Sequence, residues 1–146
     1  MTSVSSRARS VASAFMIGAL AGCGALPPGA ISDKSCGPGF DAFERDTLFF
    51  GRAIPAGGQV SDAQWAGFLD ATVTPAFPQG LTVLDAVGQW RGASGGVVRE
   101  PLKLVVLLHP RTAKDDAAIA NIIDTYRKNF GQEAVLQERQ SVCVRF

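Results

Sequence analysis

The residues able to do chemistry in this 146-residue chain are few: three cysteines, one histidine and one tyrosine. Their spacing decides what each can do. Cys23, Cys36 and Cys143 form no C-x-x-C pair and cannot supply the four thiolates of an iron–sulfur cluster. His109 has no second His or Cys at ligand spacing, so it is no metal site and reads as a polar residue at the end of a strand, before Pro110. Gly92-Ala93-Ser94-Gly95-Gly96 has the letters of a G-x-S-x-G nucleophile elbow. That motif needs a strand-to-helix turn with a histidine and an acid close by, and here it links two strands. Asp115-Asp116 is better placed as negative charge in the first turn of a helix than as a pair of catalytic acids. No Walker A sequence or dinucleotide fingerprint occurs. No catalytic residue, cofactor or metal follows from these residues, and a non-enzymatic role is preferred.

Cys23 has a different chemistry. Residues 1–22 carry Arg7 and Arg9, no acid, and then an apolar run from Val11 to Leu20. A basic start followed by about ten apolar residues is a secretory signal, too short to span a bilayer as a helix. It ends in Leu20-Ala21-Gly22-Cys23, which resembles the bacterial lipobox. In that resemblance Cys23 is the lipid-attachment residue: small Ala21 and Gly22 fit the peptidase cleft, and only a thiol can form the thioether to diacylglycerol. The expected localisation is the bacterial cell envelope, anchored to the membrane through lipid on the periplasmic or extracytoplasmic side. Gly24 in place of an aspartate favours the outer membrane where the host has one. Residues 23–40 are the lipidated cysteine and a Gly-, Pro- and Ser-rich tether, which as a flexible coil holds the domain on the order of 20 Å from the membrane.

The rest, residues 41–146, must position whatever site exists. With 14 basic against 13 acidic residues the chain lacks the charge of an electrostatic nucleic-acid binder, and at 47% hydrophobic it should fold around a core. Glu44–Ala53 reads as a strand. Ser61 and Gln64 form a capping box, with Trp65, Phe68, Leu69 and Thr72 at helical spacing until Thr74-Pro75 stops the helix. Leu81–Arg91 and Glu100–His109 read as a hairpin. Thr112 and Asp115 then open a second helix, with an apolar stripe from Ala118 to Phe130 and Gly131 at its C-terminal cap; Glu133–Phe146 returns to period two. The order βαββαβ is that of an α+β, ferredoxin-like sandwich: a four-stranded antiparallel sheet with two helices on one face.

That topology brings the last strand beside the first, so Cys143 should lie next to the segment carrying Cys36 and bond to it in an oxidising compartment. It also sorts the strands into faces. Leu102, Leu104, Val106 and Leu108 form an unbroken apolar row, expected beneath the helices with Trp65, Leu69, Ile119 and Ile122. Lys103, Val105, Leu107 and His109 then face outward, as do Val83, Asp85, Val87, Gln89 and Arg91, with Trp90 covering the core. Of Phe49 and Phe50, one must point to the open side.

Thr47-Leu48-Phe49-Phe50-Gly51-Arg52, Thr74-Pro75-Ala76-Phe77-Pro78, Gly88-Gln89-Trp90-Arg91 and Arg99-Glu100-Pro101-Leu102-Lys103 together resemble the family of small exported bacterial proteins known as domain of unknown function 3574. The similarity covers about residues 43–146. The family pattern has an arginine where this chain has Ala76, so no role of that position carries over. The family has no established activity. Its motif residues at strand ends, Arg52, Trp90, Arg91, Glu100 and Lys103, are the candidate ligand- or partner-binding residues, joined by Val105 and Leu107 of the expected open face.

Two classes of function fit. The first is an envelope lipoprotein presenting its domain for association, most simply as a homodimer through the open face of the sheet. The second is a small-molecule-binding protein or enzyme with a pocket there. A concavity of several hundred Å³ lined by these residues favours the second and a flat apolar face the first.

Overall fold

The computed structural model describes residues 36–91 and 95–146; the expected signal sequence, lipobox and tether as far as residue 35, and residues 92–94, lie outside the described residues. Strand β1 is Asp41–Gly51, helix α1 Asp62–Phe68, β2 Thr82–Arg91, β3 Val97–His109, helix α2 Ala113–Phe130 and β4 Leu136–Val144. The four strands form one antiparallel sheet in the order β2-β3-β1-β4. This is the expected ferredoxin-like order, in which each helix crosses between two strands that flank a third.

Local chemistry sets the helix ends. The Gln64 backbone N–H donates to Ser61 Oγ while Ser61 N–H donates to Gln64 Oε1, so two otherwise unpaired donors at the start of α1 are satisfied. Helix α1 does not stop at Thr74-Pro75. It widens into a π-helical stretch over Leu69–Val73 and makes one more turn, Thr74–Ala76, which carries Pro75, a residue with no N–H to donate back into the preceding turn. Thr112 caps α2 by accepting from Asp115 N–H, and Gly131 closes it in the left-handed conformation at φ 62°.

The core lies between the sheet and the helices. Leu48 and Phe50 of β1 and Val105 and Leu107 of β3 meet Trp65 and Phe68 of α1 and Ile119, Ile122 and Tyr126 of α2. Phe50 is central, its ring centroid 5.3 Å from Trp65, 5.6 Å from Phe68 and 4.7 Å from Tyr126. Each buried aliphatic or aromatic here contributes about 1.5–3 kcal/mol of transfer free energy.

The face assignment is therefore the reverse of the expected one. Register pairs Leu48 with Val105 and Phe50 with Lys103, which turns the odd residues of β3 toward the helices. Val105 and Leu107, expected on the open face, are 0% exposed in the core, whereas Leu104 and Val106 point to the open side and Leu69 is only partly buried. The same alternation puts Val83, Asp85 and Val87 on the helix side and brings Trp90 out, because Val83 pairs with Val105 and Trp90 lies an odd number of residues away. The physical reason is that both faces of β3 are apolar, and the polar members of the odd row carry their own partners. Lys103 is paired with Asp85 and His109 with Asp46. Phe50 takes the core and Phe49 the open face.

Cys36 and Cys143 are bonded, with their Cα atoms 5.6 Å apart, because Cys143 sits opposite Ala42 where the chain enters β1. Among the described residues no helix is long and apolar enough to cross a membrane.

Candidate functional site

Two glycines carve the open face. Gly51 ends β1 opposite Leu102, and Gly88 in β2 lies opposite Glu100, so β3 is flanked on both sides by residues without side chains. A Cβ at Gly88 would stand 2.7 Å from Leu102 Cδ1, and one at Gly51 would stand 2.7 Å from Glu100 Oε1. The space left is a hollow of about 810 Å³. Its floor is Phe49, Ala86, Leu102 and Leu104, with Leu136 of β4 at one side and Trp90 of β2 at the other, and Ile54 also lines it.

Glu100 is the polar element of this hollow. It is only 6% exposed, yet it lines the wall. Oε1 accepts from the indole Nε1–H of Trp90 at 2.9 Å and Oε2 from the backbone N–H of Ala53 at 2.8 Å. The Ala53 carbonyl in turn accepts from Gln132 Nε2 at 2.8 Å, which ties the segment after β1 to the loop before β4 and builds the rim. From the helix side the Tyr126 hydroxyl donates to Gly51 O at 2.9 Å. Burial pushes this phenol well above its ordinary value, so it stays a neutral donor and pins the strand end that carries the glycine.

Two of the residues singled out from sequence, Trp90 and Glu100, thus come together in the hollow, and Trp90 remains 41% exposed. The others do not join them. Arg52 turns toward α1, where it donates to Val60 O and pairs with Asp62 at 2.9 Å. Arg91 is at the exposed hairpin end, donating to Gly95 O, and Lys103 lies on the helix side against Asp85. Val105 and Leu107 are core residues. Gly51 and Gly88 were not singled out as site residues, and only their position on either side of β3 gives them this role.

A second polar assembly lies on the helix side of β1. Asp46 is fully buried and accepts from Gln137 Nε2 at 2.6 Å and Arg139 Nε at 3.0 Å, with His109 Nε2 at 2.7 Å. Arg139 also reaches Asp116 at 2.7 Å. Its signal in the sequence is an aspartate in an otherwise apolar strand and two polar residues at period two in β4. Burial alone would raise the Asp46 carboxyl, but hydrogen bonds from Arg139, Gln137 and His109, with the Arg139 charge, outweigh it and hold it below its ordinary value. The folded state therefore binds the proton more weakly than the unfolded one. The stabilisation is complete above the unfolded carboxyl value near pH 4 and is lost as pH falls through the depressed folded value. Asp46→Asn is expected to cost about 3 kcal/mol at pH 7, by removing the charge opposite Arg139 and turning one of the two acceptor oxygens into an amide donor that faces other donors. In urea titrations the gap from wild type should shrink toward pH 3; an unchanged gap refutes the account.

At the opposite end of the strands a hollow of about 680 Å³ lies among Phe43, Phe77, Leu108 and Phe146. The imidazole at its wall, His109, is already bonded to Pro110 O and Asp46. Among the described residues no three His, Cys, Asp or Glu side chains are grouped to hold a metal ion.

The family model described as "Protein of unknown function (DUF3574)" matches residues 45–146. Among solved structures, the chain is similar to a phage SAM lyase in complex with S-methyl-5'-thioadenosine, at 13% identity and TM-score 0.56, over 78% of this chain and 95% of that one. The apo state of a phage SAM lyase is similar at 15% identity and TM-score 0.51, over 74% and 91%. At these identities the likeness is one of fold. No curated protein matches the chain in sequence.

Proposed function

This chain belongs to the DUF3574 family, and from that premise we propose that it is a lipid-anchored envelope protein whose folded domain binds a small, largely apolar molecule on the open face of its sheet. The hollow over Phe49, Leu102 and Leu104 carries this reading. Its size is that of a small-molecule pocket, and its lining is mostly apolar with one buried polar group, the pattern of such sites. An association module would be better served by a flat face.

N-phenyl-1-naphthylamine, a neutral apolar fluorophore with one N–H, tests the pocket. It should brighten on binding the wild-type chain. Ala86→Phe, which fills the floor from an edge strand, should weaken binding roughly tenfold with unchanged melting, the loss expected for about 1.4 kcal/mol of contact. Equal binding by both proteins refutes the site. S-methyl-5'-thioadenosine belongs in the same assay, since a chain of this fold was solved with it.

Exposed Leu84, Leu108 and Leu136 on the same face favour a second reading, a homodimer through that face. Sedimentation over a range of concentrations separates the two, since a monomer throughout excludes the dimer.

The anchor is Cys23. Metabolic labelling with a fatty acid should tag the wild-type protein and fail for Cys23→Ala; equal labelling of both would sink the assignment.

A further inference from the structure

Resting on the reading of the hollow as a small-molecule pocket, we infer that its ligands are organic cations: an apolar or aromatic body over the sheet, with a protonated nitrogen directed at Glu100. Two independent observations carry this. The first is the state of the carboxylate. Glu100 is more than nine-tenths buried, and its two hydrogen bonds come from neutral donors, Trp90 Nε1–H and Ala53 N–H. A carboxylate has about four acceptor positions, so each oxygen keeps one in reserve. Among the described residues no Lys, Arg or His nitrogen lies within 4.0 Å of it. Asp46 and Glu44, the other buried acids of the sheet, show the contrast, with Arg139 and His109 against Asp46 and Arg111 3.8 Å from Glu44. Arg52, next in sequence to the glycine beneath Glu100, is held away by Asp62 and Val60.

The second observation is the charge of the whole lining. Among the described residues its ionisable members are Glu100 and Glu133, both acidic, and no basic residue lines it. An anion entering this hollow meets the buried Glu100 carboxylate, where Coulomb repulsion is stronger than in water, and the like charge of the exposed Glu133. A neutral ligand gains packing alone. A protonated amine gains packing and a charge-assisted hydrogen bond to a carboxylate already desolvated by the fold. Trp90 adds to the selection. Its indole N–H is fixed on Glu100, which holds the half-exposed ring beside the carboxylate, where its face can take a cation or stack on an aromatic body. Gly51 is part of the same construction, because any side chain there would occupy the place of the carboxylate.

The test uses three ligands with one ring system: 1-naphthylmethylamine, 1-naphthalenemethanol and 1-naphthoate. Each is titrated by calorimetry at pH 7 into the full-length chain carrying Cys23→Ala, which has no acyl groups to take up the probes. The amine should bind roughly tenfold or more tighter than the alcohol, the factor for a hydrogen bond to a charged group, and the naphthoate weakest. In Glu100→Gln, checked for melting, amine and alcohol should bind within about threefold of each other with the alcohol unchanged. Equal binding of all three to the wild-type site overturns the inference without any variant and leaves the pocket standing. So does an amine preference that survives Glu100→Gln. Binding of none overturns the pocket itself, and the inference with it.

Discussion

Val105→Asp is expected to unfold this domain, and Val106→Asp, one residue further along the same strand, to leave it folded. Val105 is 0% exposed and packed between sheet and helices beside Leu48 and Leu107. A carboxylate there would be buried without a partner, at a cost above about 5 kcal/mol, comparable to the whole stability of a domain this size. Val106 faces the open side between Thr47 and Thr82, where an aspartate can reach water. Its cost is the poor fit of Asp in a strand, on the order of 1 kcal/mol, or about 4–8 °C in melting temperature. Circular dichroism with thermal unfolding of both variants decides the matter. A folded Val105→Asp beside an unfolded Val106→Asp would mean that the faces are the other way round.

Loss of the disulfide should be the second large effect. Cys36 and Cys143 are 107 residues apart in sequence, so the bridge closes nearly the whole folded chain into one loop. In the loop-entropy account such a closure destabilises the unfolded chain by about 4–5 kcal/mol. The folded structure should change little, since Cys36 precedes β1 and only the approach to that strand is released. The double variant Cys36→Ser with Cys143→Ser, and the wild type under reductant, should both show a native spectrum and an unfolding free energy, from urea titration, lowered by that amount. A loss under about 1 kcal/mol would show that the loop-entropy account does not hold for this bridge.

The arrangement of elements was legible in the sequence because the signals for it are local. Ser61 with Gln64, Thr112 with Asp115, and Gly131 mark helix ends through contacts within a few residues, and they do so in the structure. Strand-forming residue types between turn residues, and period two in the last segment, mark the four strands. The βαββαβ order then left few topologies open, and from topology alone Cys143 was placed beside the entry to β1. The family motifs carry Trp90 and Glu100, although alternation along β2 puts Trp90 over the core, the opposite of the face it takes in the structure.

What only the tertiary structure decided is the register between strands and everything that follows from it. β3 has branched aliphatics on both faces, so its own pattern cannot say which is inside. The longer row, Leu102 to Leu108, looked like the core because Lys103 and His109 interrupt the other. In the fold those two residues find Asp85 and Asp46 on neighbouring strands, which removes the penalty that a reading of one strand assigns to them. The hollow has the same origin. Gly51 and Gly88 are unremarkable in sequence, being strand glycines far from each other and from Glu100. Pairing sets one on each side of β3, and the missing side chains become a pocket whose wall is a buried carboxylate. Local spacing encodes which segments are strands and helices, because the chemistry of an element end is satisfied within a turn. The interior face of a strand, and the space above it, depend on partners tens of residues away, and only the packed sheet brings those together.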